Sequence, residues 1–371
     1  MYKRQGVNLG NFSARYEAKL KSVKDETIAF SFQTQGHIRL YIDGKEVASG
    51  LNVKNSHAYE MNVEKGRIYD IKVDYVATEG NCATLNFDFG REVPLNLSST
   101  VNKVKDADVV IFAGGISPQL EGEEMPIRIP GFNSGDRESI ELPAIQTKLL
   151  IALKKAGKKI VMVNFSGSAM ALTKEAQLCD AILQAWYPGQ AGGRAIAATL
   201  MGDYNPAGRL PLTFYKSTNQ LPDFEDYSLK GRTYRYFTDE PLFPFGHGLS
   251  YTSFKYGDAT LSSHTIKTDE ILSLEIPVSN VGKRDGEEVV QVYLRRPDDK
   301  QGPILTLREF KRVDIGQGKT IKVKFKLTPE SFEWFDTNSN TMRTLEGEYE
   351  ILYGGTSDMK NLKSARIILK R

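Results

Sequence analysis

The sequence predicts a multidomain fold that joins an α/β open-sheet sandwich domain to all-β sandwiches, and three observations lead to this prediction. The chain has 371 residues, which suggests about two to three domains at roughly 150 residues each. Apolar and polar residues alternate over 12–90 and again beyond 256, as they do in half-buried strands. Between these regions, short apolar strands alternate with amphipathic helices, which favours a largely parallel sheet with covered faces.

In the first β region, strands are predicted over 27–32, 37–42 and 69–75. The step Asp43-Gly44 is a hairpin signal, because a two-residue turn needs positive φ and these residue types tolerate it. No helical period of any length interrupts this region, so we expect a β-sandwich.

In the α/β region, strands are predicted over 108–113, 159–164 and 181–186, with helices over 143–156 and 189–201. Pro143 suits the first turn of its helix, and Gly157 is a plausible C-terminal stop. The segment 203–255 is rich in Pro, Gly and aromatic residues and is expected to be a long ordered connection.

Beyond 256, strands are predicted over 272–278, 288–294 and 320–327. Turn signals between them suggest a second sandwich of immunoglobulin-like or fibronectin-like type. In the connection before it, aromatic residues around Tyr234 and Phe245 are interpreted as an interdomain clasp, since such residues dominate packed interfaces.

Composition excludes several classes of protein. Hydrophobic residues make up 40% and charged residues 26%, as in soluble globular proteins, and the net charge of +3 is spread without a basic patch. We therefore expect no nucleic-acid partner. No run approaches the roughly 18 apolar residues of a membrane span, and the first residues lack the apolar core of a signal peptide. Two distant cysteines, Cys82 and Cys179, and four scattered histidines predict neither disulfide nor metal site.

The candidate site is a loop with three glutamates, Glu121, Glu123 and Glu124, which follows the strand predicted at 108–113. Ligands bind beyond the carboxyl ends of strands in open α/β sheets, so acids placed there suit proton transfer. The alternative is a solvated acidic loop, since connections are usually surface segments. Ser166-Gly167-Ser168 lacks the pattern of a nucleophile elbow and is interpreted as a helix cap or a point of close backbone approach.

Several ordered motifs identify a family. These are Asn164–Ala169, Ala185–Gly193, Gly202–Pro211, Tyr234–Phe237 and Phe243–Thr252. They resemble the C-terminal α/β-sandwich domain of glycoside hydrolase family 3. The resemblance implies a protective-antigen-type β-sandwich at 1–95, incomplete at its start, the family's α/β domain at 96–225, an aromatic strap at 226–255 and a fibronectin type III-like domain at 256–371.

The resemblance also implies that two parts of the family's usual chain are missing. One is the N-terminal TIM barrel, which carries the nucleophilic Asp, and the other is the first part of the α/β domain. We therefore expect the C-terminal part of a longer enzyme, either a fragment or one half of a split gene whose partner is a separate TIM-barrel subunit. The parent enzyme is expected to be secreted or periplasmic, with a glycoside substrate and no metal or organic cofactor.

Site residues follow from the family's Glu-x-Glu-Gly-x-Asp-Arg pattern. Aligning its Glu-x-Glu step makes Glu123 the catalytic acid/base, with Glu121 as the runner-up and Glu124 as a third candidate; an insertion at 126–135 separates all three from Asp136-Arg137. Asp136 and Arg137 could pair and brace the loop, or Arg137 could bind a sugar hydroxyl. Trp186 could stack on a sugar face, or it could be core packing.

The resulting hypothesis is a retaining exo-β-glycosidase of β-glucosidase or β-xylosidase type, to which this chain contributes the general acid/base. Because the nucleophile is expected elsewhere, the chain alone is expected to hydrolyse almost nothing. The alternative hypothesis is a non-catalytic carbohydrate-binding or assembly module that uses the 1–95 sandwich.

Overall fold

The computed structural model describes residues 11–53, 58–77, 83–91, 93, 96–118, 120–122 and 128–371. These residues form two compact units, one with residues 11–100 and Arg128, the other with residues 101–122 and 129–371. Among the helices in these ranges, none is long and apolar enough to cross a membrane.

The first unit is all β. Its strands are β1 (Ser13–Lys21), β2 (Glu26–Gln35), β3 (His37–Ile42), β4 (Lys45–Leu51), β5 (Tyr59–Val63), β6 (Ile68–Val76) and β7 (Thr84–Gly90). They form a four-stranded sheet in the order β1-β6-β3-β4 and a three-stranded sheet in the order β5-β2-β7. Alternate residues such as Phe30, Leu40 and Val73 are buried in a shared core, so this sandwich follows from the alternation in the sequence.

The hairpin predicted at Asp43-Gly44 is present. Ile42 pairs with Lys45, and the two turn residues have φ of +49° and +80°. Positive φ at both turn positions is the geometry that matches the twist of the flanking strands.

An α/β part follows, which lies in the second unit except for residues 97–100 and Arg128. Its elements are α1 (Leu97–Lys103), β8 (Val109–Gly115), β9 (Arg128–Ile129), β10 (Phe132–Asn133), β11 (Asp136–Arg137), α2 (Ala144–Lys155), β12 (Lys159–Phe165), α3 (Thr173–Leu178), β13 (Ala181–Gln184), α4 (Gly192–Met201) and α5 (Thr233–Tyr236). The three longer strands form a parallel sheet in the order β13-β12-β8, and Val163 pairs with both Ala113 and Leu183. Their carboxyl ends therefore lie at one edge, where the loops that carry the candidate site begin.

The predicted elements of this part are present, and their ends differ from the predicted ones by at most three residues. Pro143 precedes the first residue of α2, and Gly157 follows its end with φ of +74°, as a helix stop requires. The helices α1 and α3 were not predicted. Both helices are short. Because α1 buries no residue, its sequence has no apolar periodicity from which a helix could be predicted.

The rest of the second unit is β-rich. Its strands are β14 (Phe254–Tyr256), β15 (Thr260–Leu261), β16 (Thr265–Lys267), β17 (Leu272–Asn280), β18 (Gly286–Arg295), β19 (Thr306–Ile315), β20 (Thr320–Leu327), β21 (Glu333–Asp336), β22 (Thr341–Thr344), β23 (Gly347–Gly354) and β24 (Lys363–Lys370). One sheet has the order β16-β24-β23-β18-β19, and the other is built around β17 with β14, β15 and β20. Their inner faces share one apolar core, which confirms the predicted combination of α/β and all-β folds.

The connecting segment packs on this β-rich part. The Tyr234 ring stacks on Phe245 with centroids 4.3 Å apart and meets Tyr293 edge-on at 6.0 Å. Arg209 and Glu288 form an ion pair of 2.9 Å, with only 9% and 5% of their side chains exposed. These are contacts of the kind that an interdomain clasp requires.

Candidate functional site

The carboxyl edge of the parallel sheet gathers three polar side chains around the Glu121 carboxylate. Ser168 Oγ donates to Glu121 Oε1 at 3.1 Å, and the Tyr187 hydroxyl donates to Oε2 at 3.4 Å. Arg137 Nη1 lies 3.7 Å from Oε1 as an ion pair. Ser168 lies in the loop after β12, Tyr187 lies in the loop after β13, and Arg137 lies on β11. Glu121 therefore contacts three separate segments of the chain.

Arg137 is oriented by the small hairpin of β10 and β11, in which Phe132 pairs with Arg137. Neighbouring residues of a strand point to opposite faces, so Arg137 turns inward with 9% of its side chain exposed while Asp136 is exposed. The prediction that Asp136 and Arg137 pair is therefore wrong, because the ion partner of Arg137 is Glu121.

Arg137 also binds the loop after β12. Nη1 donates to Ser168 Oγ at 2.8 Å and to the Ala169 carbonyl at 3.3 Å, and Nε donates to the Ser139 carbonyl at 3.2 Å. Burial lowers the pKa of Arg137, and the charge of Glu121 only partly offsets this. The guanidinium thus holds the loops at the cost of its own desolvation.

A buried polar network lies under Ser168. Gln184 Nε2 donates to Ser166 Oγ at 3.0 Å, Asn164 Nδ2 donates to Gln184 Oε1 at 2.6 Å, and Ser166 Oγ donates to the Ser168 carbonyl at 2.8 Å. Asn164 and Ser166 are fully buried. Ser166 is therefore a structural hydroxyl, and the predicted helix-cap role is wrong, because α3 begins after Leu172 without a side-chain cap.

The exit of β8 toward Glu121 depends on Gly115. Its φ is +127°, and a Cβ there would lie 1.9 Å from the Phe165 carbonyl oxygen. The Gln146 side chain forms two hydrogen bonds with the backbone of this glycine. Its Oε1 accepts from the Gly115 N–H at 2.8 Å, and its Nε2 donates to the Gly115 carbonyl at 2.6 Å. The start of the glutamate loop is thus fixed against β12 by close backbone contact.

Tyr187 and Trp186 leave β13 in different directions. Tyr187 is 41% exposed, and burial together with the charge of Glu121 raises its pKa. Trp186 has φ of +57°, and its half-buried ring meets Phe214 edge-on at 6.2 Å. A bulky residue in the left-handed region is strained, and such residues cluster at active sites and ligand clamps.

A second carboxylate near Arg137 belongs to Glu141. It accepts from the Thr218 backbone N–H at 2.9 Å and from the Thr218 hydroxyl at 2.6 Å. Although burial alone would raise its pKa, hydrogen bonds from Ser139 and Thr218 lower it to about 2. Glu141 is thus ionised at neutral pH and is unsuited to be a general acid.

Of the predicted site residues, the structure brings Glu121 and Arg137 together, while the Trp186 ring packs on Phe214. Glu123 and Glu124 lie outside the described residues. Sequence reasoning missed Ser168 and the contact of Tyr187 with Glu121. Their position directly after β12 and β13 was the available signal, because carboxyl ends of parallel strands meet at one edge. Within the described ranges, no group of three His, Cys, Asp or Glu side chains is arranged to bind a metal ion.

Comparison with known families agrees with this architecture. The Glycosyl hydrolase family 3 C-terminal domain matches residues 5–251, and the Fibronectin type III-like domain matches residues 288–357. Xylan 1,4-beta-xylosidase of Xylanibacter ruminicola is 47% identical over 97% of this chain, and periplasmic beta-glucosidase of Salmonella typhimurium is 36% identical over 65%. The chain covers 42% and 32% of these two proteins.

Solved structures show the same similarity. The beta-glucosidase EmGH1 of Erythrobacter marinus, 36% identical, aligns with 74% of this chain at a TM-score of 0.64, and 36% of that protein is covered. The beta-glucosidase of Kluyveromyces marxianus in complex with glucose covers all of this chain at a TM-score of 0.78; at 22% identity it shows a shared fold, with 47% of its own length matched. On the strength of the domain match and the curated relatives, the chain belongs to glycoside hydrolase family 3, by way of that family's C-terminal domain.

Proposed function

We propose that this chain is the C-terminal portion of a retaining exo-β-glycosidase of β-glucosidase or β-xylosidase type, and that Glu123 is its general acid/base. In such a reaction one carboxyl group protonates the glycosidic oxygen and later activates the water that releases the sugar. The second carboxylate, the nucleophile, is proposed to come from a TIM barrel that is not among these 371 residues.

The assignment is supported mainly by the hydrogen-bond and ion partners of the Glu121 carboxylate. Both of its oxygens accept hydrogen bonds, from Ser168 and Tyr187, and a guanidinium lies beside one of them. A proton donor needs one oxygen that is protonated and directed at the substrate. Glu121 instead suits a positioning residue that anchors the loop. Of the remaining loop glutamates, the Glu-x-Glu alignment favours Glu123, two residues later, for proton transfer.

The relatives support the substrate class. The xylosidase and glucosidases to which the chain is similar are named for β-linked xylose and glucose, so terminal β-linked sugars are the proposed substrates. Within the same proposal, Trp186 forms part of the sugar-binding surface, and the strained backbone at this residue supports that role. Arg137 contributes to binding by holding the loop, since its side chain is almost fully buried.

A chimeric enzyme tests the assignment. The 371 residues replace the matching region of the Xylanibacter ruminicola xylosidase, which supplies the remainder, and Glu123→Gln is compared with Glu121→Gln. Glu124→Gln is the matched control on the same loop. Each variant is assayed with two aryl β-xylosides, one whose phenolate leaves easily and one whose phenolate leaves poorly.

Loss of the general acid slows only the substrate that needs protonation for bond cleavage. We expect Glu123→Gln to lower kcat/KM for the poor leaving group by roughly 10²–10⁴-fold and to spare the good one. Glu121→Gln should lower both by similar factors, because it loosens the loop. If the dependence on the leaving group appears in Glu121→Gln and is absent from Glu123→Gln, the assignment is wrong.

A further inference from the structure

Two arginines of the second unit lie close together, and neither has an ion-pair partner among the described residues. Arg235 is in α5 of the connecting segment, Arg308 is in β19, and both side chains are half-buried. Neither guanidinium forms an ion pair with any residue that the structure describes, whereas the nearby Arg295 and Arg296 pair with Glu350 and Asp298. The charge of Glu333 raises the pKa of Arg308, but it is the smallest of the influences on that group and forms no ion pair with it, so the two positive charges are compensated only in part.

A β-bulge places Arg308 in this position. Val292 of β18 pairs with Glu309, but the next residue, Tyr293, pairs with Leu307, so that Arg308 is the extra residue of β19. Bulges re-aim a side chain and are frequent next to functional sites. The Arg308 guanidinium lies 5.7 Å over the Trp334 ring, and its Nη2 donates to the Glu333 carbonyl at 2.5 Å.

Several polar groups around the pair are buried and unsatisfied. Nε of Arg235, Nε of Arg308 and the Thr306 hydroxyl are shielded from solvent and have no hydrogen-bond partner among the described residues. Burial lowers the pKa of Arg308, and the charge of Arg235 lowers it further. Buried donors of this kind require a partner such as an ordered water or an ion. Water can satisfy the donors, but only an anion also compensates two positive charges.

We propose that Arg235 and Arg308 form a binding site for a small oxyanion, a carboxylate or a phosphate-type group, between the connecting segment and β19. The planar guanidinium fork matches the paired oxygens of such groups. Tyr234 adds a further donor, because its hydroxyl accepts from the Leu307 N–H at 3.2 Å while its own hydrogen is not donated to any described residue. The ligand is either an inorganic oxyanion or the carboxylate of a sugar acid. This inference is independent of the glutamate loop.

Calorimetric titration of the 371-residue protein tests the proposal, with phosphate, sulfate and glucuronate as ligands and glucose as the neutral control. Ionic strength is held constant with chloride. Binding of glucuronate alone assigns the site to sugar acids, and binding of phosphate or sulfate assigns it to inorganic oxyanions; either result supports the proposal. Absence of binding by all three anions overturns it.

Variants locate the site. Arg235→Met and Arg308→Met should each lower the anion affinity at least tenfold and should abolish the rise in thermal midpoint that the anion causes. The control is Arg366→Met, because the Arg366 side chain on β24 is 77% exposed. This variant should bind the anion as tightly as the parent does. Equal affinity in the parent and in both site variants overturns the proposal.

Discussion

Replacing Gly115 with alanine tests how tightly the end of β8 is fitted against β12. Its φ of +127° costs an L-residue about 1–2 kcal/mol. The new Cβ would lie 1.9 Å from the Phe165 carbonyl oxygen, and overpacking of this kind costs about 1–3 kcal/mol. The same carbonyl accepts from the Ile116 N–H at 2.8 Å, and displacing it forfeits about 1 kcal/mol more. Together, the loss in free energy of unfolding should be about 3–6 kcal/mol.

Two other glycines separate these contributions. Gly157 has φ of +74° but open space around a Cβ, so Gly157→Ala should lose only about 1 kcal/mol. Gly189 has neither positive φ nor a nearby atom, so Gly189→Ala should stay within about 0.5 kcal/mol of the parent. Urea unfolding followed by tryptophan fluorescence gives the three values, since Trp186 lies in the same part of the fold. Equal losses for Gly115→Ala and Gly157→Ala would refute the argument from close contact.

Two further predictions concern the neighbourhood of the glutamate loop. Arg137→Met should lower the free energy of unfolding by about 2–3 kcal/mol in the same urea assay, because it removes donors to Ser168 and an ion partner of Glu121. A loss below about 0.5 kcal/mol would contradict the role of Arg137 in holding the loops. The pKa of Glu141 falls from 4.5 to about 2 on folding, so its stabilisation is complete above pH 4.5 and is lost as the pH falls toward 2. Because Glu141 is largely exposed, we expect only about 1 kcal/mol, and Glu141→Gln should flatten the stability curve between these pH values by that amount; an unchanged curve would contradict the assignment of Thr218 as its partner.

The fold was predictable wherever a side-chain period was long enough to recognise. The alternation over 12–90 and the apolar runs at 109–113 and 160–163 correspond to strands. The second run is largely buried, whereas Val109 and Ile111 of the first are exposed. Elements without such a period were missed, among them α3 and the two-residue strands β10 and β11. The predicted domain limits at 95, 225 and 255 stay predictions.

The site was predictable only in part. The clustered glutamates and Arg137 were recognisable because their residue types carry charge. The placement of Ser168 and Tyr187 on Glu121 depends on which strands are neighbours, and a single sequence does not give strand order directly. The pairing of Arg137 with Glu121 depends on the hairpin of β10 and β11, which turns Asp136 to the opposite face. The residue types of the site could thus be recognised in the sequence, whereas the contacts that depend on strand order could be found only in the structure.

Rescue by azide tests the central claim most directly. In the chimeric enzyme, alanine replaces Glu123 in one variant and Glu121 in the other, and each is assayed with a substrate whose phenolate leaves easily. The account predicts that azide restores turnover in Glu123→Ala and yields a β-glycosyl azide, because a small anion then attacks the intermediate without needing a base. Rescue confined to Glu121→Ala would show that the proton donor is the glutamate that we assign to positioning.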